Sequence, residues 1–257
     1  MKKTSEKKKR RIFLRVAYDG TRYAGFQVQN NGIGIQNVID DALSDWLKEK
    51  IHTAAASRTD AGVHAFGNVL VFDTFSQIPG EKYAFGLNTG LPDDIKVQES
   101  FEVPADFHPR FTSTVKTYEY KILNRTFPDP LRRVDSFFYH GHLDADSMNI
   151  AANMLVGEHD FASFCSTGNS HKTTVRTIYS AYVEQEDDMI WFDITGDGFL
   201  YNMVRIIAGT LIEIGKGAMT PRSMERILAS RDRSFAGPTA PACGLTLVNI
   251  EYPEWGF

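Results

Sequence analysis

The sequence predicts an α+β fold: two ferredoxin-like halves forming a mainly antiparallel mixed sheet, with helices packed on one side. Three observations point there. Segments of strand length with period-two alternation recur along the chain. Longer segments with apolar residues at helical spacing fall between them. The resulting order β-α-β-β-α-β occurs twice. At 257 residues the chain can form two modest domains or one large one, and either can bury a core.

The elements of the first half follow in order. Residues 12–18 alternate, with Ile12, Leu14, Val16 and Tyr18 on one face, which predicts a half-buried strand. Asp19-Gly20 then marks a turn. From Ile35 the apolar positions are Val38, Ile39, Ala42, Leu43, Trp46 and Leu47, the spacing of a helix of about four turns. Strands are expected over 51–56 and 69–73, a short helix after Pro79, and a further strand over 95–101.

In the second half, residues 115–123 alternate and place Tyr118, Tyr120 and Ile122 on one face of a strand. A helix over 145–155 carries Met148, Ala151, Ala152 and Leu155. Strands over 175–183 and 189–195 flank the acidic turn Glu186-Asp187-Asp188. Residues 199–214 read as a helix whose stripe is Met203, Ile207, Leu211 and Ile214. Thr220-Pro221 supplies an N-cap and a proline at the first turn of another helix. A strand over 245–252 closes the set. The boundary between halves is expected within 104–110. That gives a basic leader without ordered structure over 1–11, an N-terminal α/β domain over 12–106, and a C-terminal α/β domain over 107–257.

Composition narrows the class. Hydrophobic residues make up 42% and charged residues 23%, as in ordinary globular chains, so disorder is not expected beyond the leader. No apolar run approaches the roughly 20 residues that span a bilayer. The charged start lacks the apolar stretch of a secretory signal. Cys165 and Cys243 form neither a disulfide framework nor a spaced metal motif and suit a reducing compartment. A soluble, cytoplasmic protein is expected. The net charge is -4, yet seven of the 28 Lys and Arg residues lie in the first eleven positions, opposed only by Glu6. The remainder carries 21 basic against 31 acidic residues, so any nucleic acid must be drawn to a local cleft.

The segment Ser57-Arg58-Thr59-Asp60-Ala61-Gly62-Val63-His64-Ala65 packs a cation, a hydroxyl, a carboxylate, a glycine and an imidazole between two expected strands. On local chemistry alone a surface turn explains it, because Asp and Gly favour turns. Residues 58–65 of it, however, resemble the catalytic loop of the TruA family, the transfer-RNA pseudouridine synthases acting in the anticodon stem-loop. Other motifs agree in order. They are Tyr18-Asp19-Gly20-Thr21-Arg22-Tyr23-Ala24-Gly25-Phe26-Gln27, Leu91-Pro92-Asp93-Asp94-Ile95 and Phe107-His108-Pro109-Arg110-Phe111. Tyr118-Glu119-Tyr120, Phe199-Leu200-Tyr201-Asn202-Met203-Val204-Arg205 and Gly244-Leu245 complete the pattern. The likeness runs from Ile12 to Pro253, with departures at Phe26, Ser57 and Ile206.

The resemblance implies an isomerase that turns uridine into pseudouridine at positions 38, 39 and 40, with Asp60 as the catalytic carboxylate. It places Tyr118 against the target base, Arg205 beside Asp60 to keep it ionised, and Arg58 in the RNA helix to hold the flipped base outside. It also implies a homodimer and a transfer-RNA partner. The reaction changes no oxidation state, so no cofactor is expected, in keeping with the lack of a phosphate-binding loop or dinucleotide glycine pattern. No metal is expected either: His140 and His142 have no neighbouring ligands at zinc spacing. Taken alone, Arg205 reads as a helix-surface arginine and Tyr118 as core, a role that suits Tyr120 equally. Arg110, Lys116, Lys121, Arg125, Arg132 and Arg133 could meet phosphate or form a solvated face. Asp93-Asp94 reads most simply as turn chemistry. A carboxylate-based glycosidase would need a second acid at the loop, and none is identifiable.

Overall fold

The computed structural model describes residues 8–28, 32–166 and 173–257. Residues 1–7, most of the expected leader, lie outside them. The chain divides into two compact units, one ending at Ser113 and the other running from Thr114 to Phe257.

The first unit contains strand β1 (Arg10–Tyr18), helix α1 (Ile35–Leu47), β2 (Ala54–Ala55), β3 (His64–Thr74), helix α2 (Tyr83–Asn88) and β4 (Ile95–Val103). β1 lies between β3 and β4 and is antiparallel to both, and β2 adds to β3. β1 starts two residues before the expected Ile12, inside the expected leader. The reason is charge pairing across the ladder. Arg10 donates to Glu102 and to the carbonyls of Ser76 and Ile78. Arg11 donates to both Asp73 oxygens and to the Phe107 carbonyl. β1 is also buried on both faces along its middle, because Phe13 stacks on Phe101 at 4.4 Å and meets Phe107 at 6.3 Å. α1 buries Ile35, Ile39 and Leu43, one face at i, i+4, i+8. Trp46, expected in that stripe, is instead partly exposed at its border and meets the Tyr83 ring edge-on at 5.6 Å. The strand expected over 51–56 shrinks to two residues, and β3 begins earlier, immediately after the 57–63 loop.

The second unit contains β5 (Val115–Asn124), β6 (Phe137–Tyr139), helix α3 (Ala145–Asn153), β7 (Gly157–Asp160), β8 (Val175–Glu186), β9 (Met189–Gly196), helices α4 (Met203–Gly215) and α5 (Ser223–Ser230), and β10 (Leu245–Glu251). Its strands run β10-β5-β9-β8-β7, each antiparallel to its neighbour, and β6 joins β5 in parallel. β6 and β7 are three and four residues long, too short to show a period. Asp144 caps α3 by accepting from the Ser147 backbone amide. α4 starts four residues later than its periodicity suggests. Asn202 adopts a left-handed backbone (φ 59°), which no helical turn accommodates but Asn tolerates. Within each unit the secondary structure is thus α+β and almost wholly antiparallel. No helix among the described residues is long and apolar enough to cross a membrane.

Candidate active site

Residues 57–63 form the link between β2 and β3, and an irregular segment after β1 buttresses them. The Phe26 amide donates to the Thr59 carbonyl at 3.0 Å, and the Val63 amide donates to the Asp60 carbonyl at 3.1 Å, closing a tight turn around Asp60. Gly20 is required where the two segments meet, since a Cβ there would lie 2.0 Å from the Val63 carbonyl oxygen. The buttress is itself anchored. Asp94 accepts from the Arg22 guanidinium and, at 2.8 Å, from the Tyr23 hydroxyl, while its backbone carbonyl takes the Asp19 amide. Burial and then the Asp94 carboxylate push the Tyr23 hydroxyl up to about 12. The Asp93-Asp94 pair therefore splits: Asp94 anchors the turn, and Asp93 faces Lys96 from an exposed position.

His64, the first residue of β3, is buried with Nδ1 3.2 Å from both the Gly20 amide and Asp19 Oδ1. Asp19 is held below the usual carboxylate range: burial opposes ionisation, but bonds from the Thr21 hydroxyl and amide and the His64 contact outweigh it. Thr59 is buried, Asp60 is half-buried, and Arg58 is exposed. Arg58 donates to Gln27 Oε1 at 3.2 Å and makes no ion pair with a carboxylate among the described residues. Lost hydration and then the Arg110 guanidinium depress its pKa, so two like charges of this unit face one another. That arrangement favours an incoming anion. Phe111, beside Arg110, is 78% exposed and stacks on His108 at 4.3 Å.

In the second unit, Tyr118 and Tyr120 point to the same side of β5, and their surroundings differ. Tyr120 is fully buried and donates its hydroxyl to the Pro241 carbonyl at 2.8 Å, and burial pushes its pKa far up. Tyr118 keeps 7% exposure, with the Phe199 ring edge-on at 5.1 Å. Arg205 is not the surface arginine that helical spacing alone suggests. It is half-buried in the first turn of α4, donates Nε to the Ala240 carbonyl at 2.8 Å, and donates Nη1 to Asn202 Oδ1 at 3.0 Å. The Ala240 amide returns a bond to the Arg205 carbonyl, and the Gly237 amide bonds Thr210 Oγ1 at 2.9 Å. Residues 237–240 thus lie directly on α4, at a point where Gly209 leaves room for them.

Arg58 and Asp60 share the loop of the first unit, and Tyr118 and Arg205 sit on adjoining elements of the second. Among the clustered cations, Lys121 pairs with Glu119, Arg125 with Asp188 and Arg132 with Asp135. His140 Nδ1 lies 3.1 Å from the Thr126 carbonyl. The departures at Phe26 and Ile206 are both fully buried. Residues that sequence reasoning passed over include Asn202 and Ala240, which hold Arg205, and Asn68, which holds the Asp60 loop. Asn202 stood inside a recognised motif, whereas nothing local marks Asn68 within its strand.

The profile of the tRNA pseudouridine synthases matches residues 15–112 and 151–253, well over half of the chain. The chain belongs to that family. Its matched spans contain Arg58, Asp60 and Arg205, while Tyr118 lies in the interval between them. Full-length relatives cover that interval too. The tRNA pseudouridine synthases A of Acetivibrio thermocellus and Brevibacillus brevis are each 47% identical over 243 residues, 95% of this chain and all of theirs. That of Geotalea uraniireducens is 44% identical over the same span.

Proposed function

We propose that the protein isomerises uridine to pseudouridine at positions 38, 39 and 40 in the anticodon stem-loop of transfer RNA, with Asp60 as nucleophile. The observation that carries this reading is the Asp60 loop. A half-buried carboxylate sits in a tight turn held by backbone bonds, two residues from a solvent-facing arginine, in a chain of the pseudouridine synthase family. Preorganised charge of this kind stabilises a transition state more than charge in open water does. In the reaction, the N-glycosidic bond breaks, the base turns, and a bond forms from the sugar to carbon 5. The proton on carbon 5 leaves and nitrogen 1 gains one, so atoms balance without redox chemistry or a cofactor.

Arg58 fills the space vacated by the flipped base and meets phosphate, offsetting an unstacking cost of a few kcal/mol. Tyr118 stacks on that base, and its hydroxyl assists proton movement. Arg205, its guanidinium oriented by Ala240 and Asn202, keeps the Asp60 carboxyl ionised. We read the enzyme as a cytoplasmic homodimer that needs no metal. Pseudouridine mapping on unmodified transfer RNA, with intact protein beside Asp60→Asn, tests the reading. Product from the intact protein and none from the variant, with RNA still bound by both, is expected. Equal product from both removes Asp60 from the chemistry.

A further inference from the structure

We infer that Asn68, Tyr18 and Thr59 form a buried positioning relay that sets the Asp60 carboxylate for attack; the inference rests on Asp60 being the nucleophile. The relay starts on β3 at Asn68, which is wholly buried. Its Oδ1 accepts the Val69 amide at 2.9 Å, and this fixes which end of the side-chain amide donates. Nδ2 then gives one hydrogen to the Ser57 carbonyl at 3.0 Å and the other to the Tyr18 hydroxyl at 3.1 Å. The same hydroxyl meets Thr59 Oγ1 2.8 Å away, a bond in which either oxygen can donate. The Thr59 carbonyl is held in turn by the Phe26 amide. Two of the three residues before Asp60 are therefore gripped, through the Ser57 carbonyl and both oxygens of Thr59.

Packing alone does not place this loop. Across residues 57–62, Thr59 is the one buried residue, and Arg58 and Ala61 face solvent. A segment with so little apolar burial opens easily unless hydrogen bonds restrain it. The relay residues are 0%, 4% and 7% exposed for Asn68, Tyr18 and Thr59, so their bonds compete little with water and every unmade one is costly. A core built only for stability would fill this space with apolar side chains. A fully satisfied polar network instead specifies one arrangement. Under this reading the three act as positioning residues, through the backbone of residues 57–59.

The test is steady-state kinetics on transfer RNA, per folded molecule, for Tyr18→Phe, Thr59→Val and Thr59→Ser beside Asp60→Asn. Displacing a reacting group by about 1 Å costs on the order of 100-fold in rate. Tyr18→Phe and Thr59→Val are expected to lower kcat by roughly 10- to 100-fold with KM within about two-fold. Thr59→Ser, which keeps the hydroxyl, is expected to recover most of the rate. A network serving the fold alone would lower the melting temperature and leave kcat per folded molecule intact. That outcome overturns the relay, as does a rise in KM at unchanged kcat, equal slowing by Val and Ser, or failure of both Tyr18→Phe and Thr59→Val to fold. If Asp60→Asn is inactive while Tyr18→Phe runs at full rate, the relay alone falls. If Asp60→Asn is active, the nucleophile falls and the relay with it.

Discussion

Gly209→Ala sets two effects of opposite sign against each other at the turn that holds Arg205. Alanine in a helix interior is favoured over glycine by about 1 kcal/mol, so the change would stabilise α4 if the site were open. It is not open. A Cβ on residue 209 would lie 1.8 Å from the Pro238 carbonyl oxygen, 2.9 Å from its carbon and 3.4 Å from the Ala240 amide nitrogen. Neither backbone can yield as a flexible side chain would, so residues 237–240 must lift away from α4. Three hydrogen bonds go with them: Gly237 to Thr210, the Ala240 amide to the Arg205 carbonyl, and Arg205 Nε to the Ala240 carbonyl. At about 1 kcal/mol each, their loss outweighs the propensity gain and leaves a net destabilisation of about 2 kcal/mol. Urea unfolding followed by circular dichroism reads this as a lower midpoint. Because Arg205 loses the carbonyl that aims it, pseudouridine formation per folded molecule should fall as well. A variant as stable as the parent or more so would refute the reasoning, since it would mean that the loop can move at no cost.

Two further predictions concern β5 and its neighbours. Asp193 on β9 stands directly opposite Glu119 on β5, and burial, then Glu119 and Glu184, raise its pKa to about 6. Its folded pKa exceeds the unfolded value of about 3.9, so the stability associated with it is intact below pH ~4 and is lost as pH rises through 6. Asp193→Asn should therefore stabilise the protein at pH 8 and bring no gain at pH 4; equal effects at both, measured by denaturant midpoints, would contradict this. Tyr118→Phe and Tyr120→Phe should diverge. Removing the Tyr120 hydroxyl orphans its bond to Pro241 and costs about 1 kcal/mol of stability with little change in rate. Removing the Tyr118 hydroxyl should act on turnover with little effect on the melting temperature, and the reverse pattern would exchange the roles given to the two rings.

The fold class and the order of elements were legible because they rest on local periodicity. The 3.6-residue spacing of Ile35, Ile39 and Leu43 and the alternation around Tyr118 are properties of short segments. Asp60 became a candidate for a different reason, since its loop carries a dense motif with a family likeness. Chemistry alone would have left that loop a surface turn. What the sequence by itself could not reach are features made by residues far apart in the chain. Arg10 and Arg11 read as leader until Glu102 and Asp73 are brought opposite them. Arg205 reads as a surface cation until residues 237–240 fold back onto α4 and the Ala240 carbonyl takes its Nε. Tyr118 and Tyr120 share a face and a period, and only the fold brings the Pro241 carbonyl to the Tyr120 hydroxyl. The Asn68–Tyr18–Thr59 relay left no local trace, because each member is ordinary in its own segment and separations of 50 and 41 residues divide them. Hydrogen-bond partners of buried polar groups are set by which segments the core brings together, and no short-range pattern encodes that.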